Sequence, residues 1–274
     1  MEVSLVGVCV GLLLICIPIY VHYRYRTGQA MPIAISCLRM VVQLFLMGFY
    51  LQYLFALNNG WVNVGWLVVM VGVCAFDLLG RVNLSRRLFL PVVGVSVLAA
   101  VGAIISYFTL VVLRLDYLFE SRYFIPLCGS LMGNVLGSNV IGVGTLYQGL
   151  EEGRQYYRYQ LCNGATQQEA LRPFFSKAIY SAFNPSIASM AVMGLVSMPG
   201  TMIGQILAGS SPRIAVRYQI LIMVMHFVCS TISLLLIMYF SIGRSFDAFG
   251  VLRESAIRPK RARRAWGREF HWRR

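Results

Sequence analysis

The feature that most constrains this sequence is a series of apolar runs, each long enough to cross a lipid bilayer. They lie at 3–21, 38–57, 61–79, 88–113, 123–148, 184–209 and 214–242. A helix rises about 1.5 Å per residue, so roughly 20 apolar residues cover about 30 Å of hydrocarbon. The strands of a membrane barrel would alternate apolar and polar residues over about 10 positions. The unbroken stretch from Gly65 to Phe76 excludes that pattern. A water-soluble globule is excluded by composition: soluble domains carry about 25% charged residues, whereas here 12% are charged and 58% hydrophobic. The expected fold class is all-α, a polytopic membrane protein of about seven transmembrane helices. The first run, Val3 to Tyr20, has no basic segment before it and no small-residue cleavage site after it. It reads as a retained span rather than a signal peptide.

The basic residues sit in the gaps between runs and in the tail, which is how membrane orientation is encoded. Alternate gaps carry Arg24, Arg26 and Arg39, then Arg81, Arg86 and Arg87, then Arg154, Arg158, Arg172 and Lys177. The tail beyond Arg244 falls on that same side and is densely basic. Only Arg114, Arg122, Arg213 and Arg217, of 24 lysines and arginines, fall on the other. The expectation is an N-terminus outside and a C-terminus in the cytoplasm of a multi-pass protein of the cytoplasmic (inner) membrane. The formal charge of +14 therefore reflects topology, and no nucleic-acid partner is expected. The chain divides into a permease-like membrane domain, 1–245, and a basic tail, 246–274, whose run Arg258-Pro259-Lys260-Arg261 suits anionic lipid at the bilayer surface. Its expected state is disordered.

Several chemistries find no residues to carry them. A nucleotide-binding P-loop ends its glycine-rich turn in a lysine that reaches the phosphates. The two lysines, Lys177 and Lys260, follow Ser176 and Pro259, so neither fits. Any ATP hydrolysis driving this chain must occur in another. There is no HExxH zinc motif, and the seven cysteines, at 9, 16, 37, 74, 128, 162 and 229, form no CxxC. They read as small buried hydrophobes. The chain itself is expected to be no enzyme and to bind no cofactor.

The longest gap within the membrane domain runs from about 149 to 183. Thr166 followed by Glu169 has the spacing of a capping box, in which each side chain satisfies an orphan backbone donor at a helix start. Gly164 ahead of it permits a sharp entry, and Pro173 predicts a bend after the first turns. A short helix with a broken continuation is the expected result. The residues Gly164-Ala165-Thr166, Ala170, Arg172-Pro173, Ala178-Ile179 and Asn184-Pro185 resemble the cytoplasmic loop of FetB-type permeases, a family of iron-export ABC transporter membrane subunits. The resemblance tightens through 193–200 (Met193 to Gly200), 204–209 and 217–220. It departs at Ala188, where asparagine is usual, and at Met198, where leucine is. The resemblance implies a permease that dimerises and pairs with an ABC ATP-binding subunit holding ATP and Mg. It also implies an ATPase-coupling loop carrying Gly164, Ala165, Thr166, Glu169, Arg172, Pro173 and Pro185. The alternatives are an ABC permease for another substrate, such as a sugar or lipid conjugate, and an ATP-independent carrier or channel.

Three intramembrane features could bear on transport. Pro199-Gly200, Gly204-Gln205 and Gly209 punctuate the sixth run and predict either a broken span or an ordinary helix end in a loop. In the fifth run, Gly129, Gly133 and Gly137 recur every four residues, which suits close helix packing. Ser130, Asn134 and Ser138 form the adjacent stripe, and Asn134 and Ser138 either glue helices together or line a polar path. In the seventh, Met223, His226 and Ser230 share a face with Cys229 nearby. Imidazole and thioether suit a transition metal, so His226 and Met223 are candidate metal contacts; a satisfied core histidine is the plainer reading. Asp77 is expected to pair with Arg81 one turn on.

Overall fold

The computed structural model describes residues 5–57, 59–112 and 121–247, with Gly250 and Arg253. Most of the basic tail and Arg114 therefore lie outside the described residues. The chain divides into two compact units that meet at 58/59.

The first unit holds α1 (Leu5–Leu13), α2 (Cys16–Arg24) and α3 (Ala30–Leu57). The α1–α2 pair is one apolar stretch, pinched at Leu14 and Ile15. There the backbone switches to short-range bonds, Leu14 N–H to Gly11 O and Ile15 N–H to Leu12 O. Pro18 explains the pinch, because it has no N–H to return to Leu14 and its ring crowds that carbonyl. Arg26 and Gly28, both with positive φ (50° and 72°), turn the chain into α3, which packs on α2.

The second unit holds α4 (Gly60–Val82), α5 (Arg86–Tyr107), α6 (Ser121–Glu152), α7 (Arg154–Cys162), α8 (Gln167–Val192), α9 (Gly200–Leu207) and α10 (Pro212–Ser245). Asn59 caps α4 by accepting from the Trp61 N–H at 3.0 Å, and Asn83 ends it in the left-handed conformation that asparagine tolerates. Asp77 and Arg81 pair at 2.8 Å as expected. Helix α5 runs into a π-helical turn, Phe108–Val112. There the Thr109 hydroxyl donates back to the Ile105 carbonyl at 2.8 Å. Helix α6 packs against α4, α8 and α10, and α5 against α4 and α10. The core between them is largely apolar: Leu78, Val97, Ala100, Val101, Val135, Ala178, Cys229 and Leu234 are all fully buried. One close approach depends on a glycine. A Cβ on Gly142 would lie 2.7 Å from Leu234 and 3.1 Å from Ala182, so α6, α8 and α10 meet where only hydrogen fits.

Among the described residues, six helical stretches are long and apolar enough to cross a membrane: 6–24, 30–57, 60–82, 86–112, 123–152 and 212–245. They coincide with six of the seven apolar runs. The remaining run, 184–209, is divided. Its first part completes α8, which does not stop at Pro173 but continues through Pro173 and Pro185 to Val192. The chain then breaks over 193–199 before the eight-residue α9. Packing along α6 outweighs the roughly 3 kcal/mol that an interior proline costs a helix. At 26 residues, α8 is long enough to cross a bilayer, but Arg172, Lys177, Asn184 and four serines dilute its apolar character.

Candidate functional site

The segment between α6 and α8 is a tight helical hairpin. Helix α7 ends in a Schellman motif: Gly164, with φ +88°, donates to Leu161 O, and Ala165 N–H reaches Gln160 O. One residue later Thr166 starts α8. Its hydroxyl accepts from the Glu169 N–H, and the Glu169 carboxylate accepts from the Thr166 N–H (2.8 Å) and hydroxyl (2.7 Å). Those bonds hold the Glu169 carboxyl below its ordinary range. The hairpin is closed by Phe174, whose ring edge occupies the place a Cβ on Gly153 would take, 2.7 Å away. Arg172, Pro173 and Pro185 are exposed on α8, Arg172 and Pro173 just past the cap and Pro185 three turns further on.

Roughly 40 Å along the α8 axis, side chains of α6 and α10 gather. His226 on α10 lies between two side chains of α6: its Nε2 is 2.7 Å from the Ser130 hydroxyl and its Nδ1 is 3.1 Å from the Asn134 amide nitrogen. An amide nitrogen can only donate, so Nδ1 accepts, and Nε2 carries the proton and donates to Ser130. The imidazole is therefore neutral and both its nitrogens are engaged. A metal at His226 would have to displace one of these partners. Among the described residues no group of three or more His, Cys, Asp or Glu side chains converges as a metal cage. Ser138 and Ser230 are buried, whereas Asn134 is exposed on the outer face of α6 beside Gly133 and Gly137. A Cβ at either of those glycines would meet nothing within 4 Å, and one at Gly129 would touch only Met70 at 3.6 Å. Within the chain, the close approach expected at this stripe occurs instead at Gly142.

The break after α8 organises two cavities. Gly194, φ +86°, turns the chain, and its N–H returns to Ser197 O at 2.9 Å. Pro199 caps α9 and Gly200 is its first residue. Gly209, φ +97°, ends it with a second Schellman motif, Ser210 N–H to Gln205 O and Gly209 N–H to Ile206 O. On one side a cavity of about 470 Å³ is lined by Pro199, Met223, Gln219 and four further methionines. On the other, a cavity of about 490 Å³ is lined by Ser130, Tyr123, Thr201, Gly204, Gln205 and Tyr218. The punctuated sixth run is thus brought against the serine–histidine pair, while Gly164 to Pro173 stand at the opposite end of α8.

A family model described as "Uncharacterised protein family (UPF0014)" matches residues 5–246. The chain belongs to the UPF0014 family. It is 30% identical to a UPF0014 membrane protein of Synechocystis sp., over 71% of this chain and 75% of that one. It is 30% identical to Protein ALUMINUM SENSITIVE 3 of Arabidopsis thaliana, over 81% and 80%. It is 24% identical to the "Probable iron export permease protein FetB" of Escherichia coli, over 88% and 92%. No solved structure matches it. With its apolar helices, this UPF0014 chain is a multi-pass membrane protein.

Some polar residues of this UPF0014 chain have partners that the sequence did not specify. Gln219, nearly buried on α10, accepts a hydrogen bond from Thr201 at 2.5 Å and so ties α9 down. Asn139 donates to Ser233 at 2.8 Å between α6 and α10, and its buried Oδ1 has no partner among the described residues. Tyr157 of α7 donates to the Gly250 carbonyl at 3.0 Å, and burial pushes its phenol up. The only signal for these was a lone amide or hydroxyl within an apolar or aromatic stretch, which marks a residue but not its partner.

Proposed function

We propose that the chain is the membrane-spanning permease subunit of an ABC transporter that exports iron or another metal ion, driven by ATP and Mg held in a separate ATP-binding subunit. The observation that carries this reading is the unbroken α8. One end is an exposed, doubly capped hairpin; the other is the broken segment beside His226. A helix capped in this way transmits displacement better than a frayed one, because the capping box ties down the Thr166 and Glu169 N–H groups at its start. The capped hairpin, 149–183, is the coupling loop on the cytoplasmic side, and two permease copies would engage two ATPases. Helix α8 supplies the crossing expected at 184–209, with its exposed polar face, Ser176, Lys177 and Asn184, toward the path rather than toward lipid. The basic tail would rest on anionic lipid of the inner membrane. The name of the Escherichia coli relative supports iron as cargo, and Asn134, Ser138 and His226 are the candidate path residues.

Reconstitution tests the reading. Vesicles holding this chain with a partner ABC ATPase should move Fe²⁺ only when ATP and Mg are present on the ATPase side. Transport at the full rate by this chain alone would replace the reading with an ATP-independent carrier. ATP-driven transport of a different solute, with none of Fe²⁺, would keep the permease and replace its cargo.

A further inference from the structure

The cavity at the end of α8 has an unusual wall. Of its eleven lining residues five are methionines: Met190 and Met193 from the end of α8, Met198 and Met202 around the start of α9, and Met223 from α10. The chain has 13 methionines in all, so this one cavity gathers more than a third of them from three separate stretches. The rest of the wall is Gly194, Pro199, Val216, Ile220, Val224 and Gln219, whose side-chain oxygen is already taken by Thr201. No charged side chain lines it.

We propose that this cavity is a thioether site for a soft monovalent metal ion, Cu⁺ or Ag⁺. Methionine sulfur is a neutral, polarisable donor that selects soft ions, whereas Mg²⁺, Ca²⁺ and Mn²⁺ require oxygen. Charge points the same way. The cost of moving an ion from water into a low-dielectric wall grows with the square of its charge, and without a carboxylate there is nothing to offset a divalent ion. A single positive charge faces about a quarter of that penalty, and its thioether bonds are the stronger ones. The cavity volume of about 470 Å³ leaves room for the flexible side chains to swing their sulfurs inward, which the three rotatable bonds of methionine permit. The inference is independent of ATP-driven export: a chain that binds silver and transports nothing would keep it.

Peroxide converts a free thioether to the sulfoxide, and a sulfur bonded to a metal is protected. The purified full chain in detergent, its accessible thiols first alkylated, would be treated with hydrogen peroxide with and without Ag⁺, and oxidation read at each methionine by peptide mass spectrometry. With free Ag⁺ at about ten times its dissociation constant, mass action should slow oxidation about tenfold at those of the five cavity methionines whose sulfurs hold the ion. Met31 and Met40, exposed in the first unit, should oxidise at an unchanged rate, and Zn²⁺ at the same concentration should protect nothing. The triple variant M193L/M202L/M223L should lose silver protection at Met190 and Met198. Continued resistance of Met238, 1% exposed, shows that the variant is folded; if it is not, the single variant M202L should weaken protection at the other four. Silver protection at none of the five, equal protection at Met31 and Met40, equal protection by Zn²⁺, or undiminished protection in the folded variants would each overturn the proposal.

Discussion

The two ends of α8 are built on opposite principles. At its start, the Schellman glycine, the Thr166–Glu169 box and the Phe174 ring over Gly153 leave almost no freedom. At its finish, the Met193 N–H reaches back only to Met190 O, and the chain turns through Gly194 into a segment where Leu195 is 92% exposed. A membrane protein can leave backbone irregular only where protein or a cavity satisfies it, and this irregular stretch borders the methionine-lined cavity through Met193, Gly194, Met198 and Pro199. The contrast teaches that rigidity and looseness are placed at different ends of one rod, with a tightly capped start and an irregular finish.

The comparison can be broken most severely in the middle. Gly142→Leu would drive a side chain into Leu234 and Ala182 and separate α8 from α6 and α10. Overpacking of this kind costs about 1–3 kcal/mol or more, and the expected result is loss of monodisperse protein on size-exclusion chromatography. Next comes Gly164→Val, which forces a β-branched residue to φ +88°. The left-handed penalty of about 1–2 kcal/mol should lower the thermal midpoint while the cavity end keeps its hydrogen-exchange pattern. Thr166→Ala removes the cap at about 1 kcal/mol; amide exchange should speed up in the first turn of α8 and remain unchanged at 190–202.

His226→Ala should change stability by an amount comparable to the lost cap. Net hydrogen bonds are worth about 0.5–1.5 kcal/mol, and Asn134, one of its two partners, is exposed enough to find another. Folded protein with lost transport would assign the trio to the path, whereas lost folding would assign it to packing. The smallest effect is in pH. The depressed Glu169 carboxyl contributes to the hairpin above the ordinary carboxylate pKa, and this contribution is lost as pH falls through its lowered value. Exchange in the first turn of α8 should therefore accelerate in acid, and Glu169→Gln should make that profile flat.

Much of this was legible in the residues. Six spans follow from apolar length, the capping box from Thr166 and Glu169, and the Asp77–Arg81 pair from its spacing. Other features were not. Ser130/Asn134 and His226 each marked a helix face, but their meeting across 92 and 96 residues depends on how α6 and α10 pack. A glycine every fourth position suggested close approach at Gly133, yet the contact is at Gly142, which no period marks. Pro173 predicted a bend and a broken continuation that tertiary packing suppressed, whereas the chain does break over 193–199, running up to the Pro199-Gly200 pair that the sequence marked. Helix α7 escaped notice because its nine residues, rich in tyrosine, have no apolar repeat long enough to read.

One further contact has a mechanical meaning. Just beyond α10, Arg253 N–H returns to Ser245 O, the Gly250 carbonyl takes the Tyr157 hydroxyl, and Phe246 lies against the Tyr157 ring with centroids 5.6 Å apart. The last membrane helix is thereby yoked to the hairpin that begins α8. A partner pressing on the hairpin would tug α10 as well as push α8, shifting both walls that flank α9 in a single stroke.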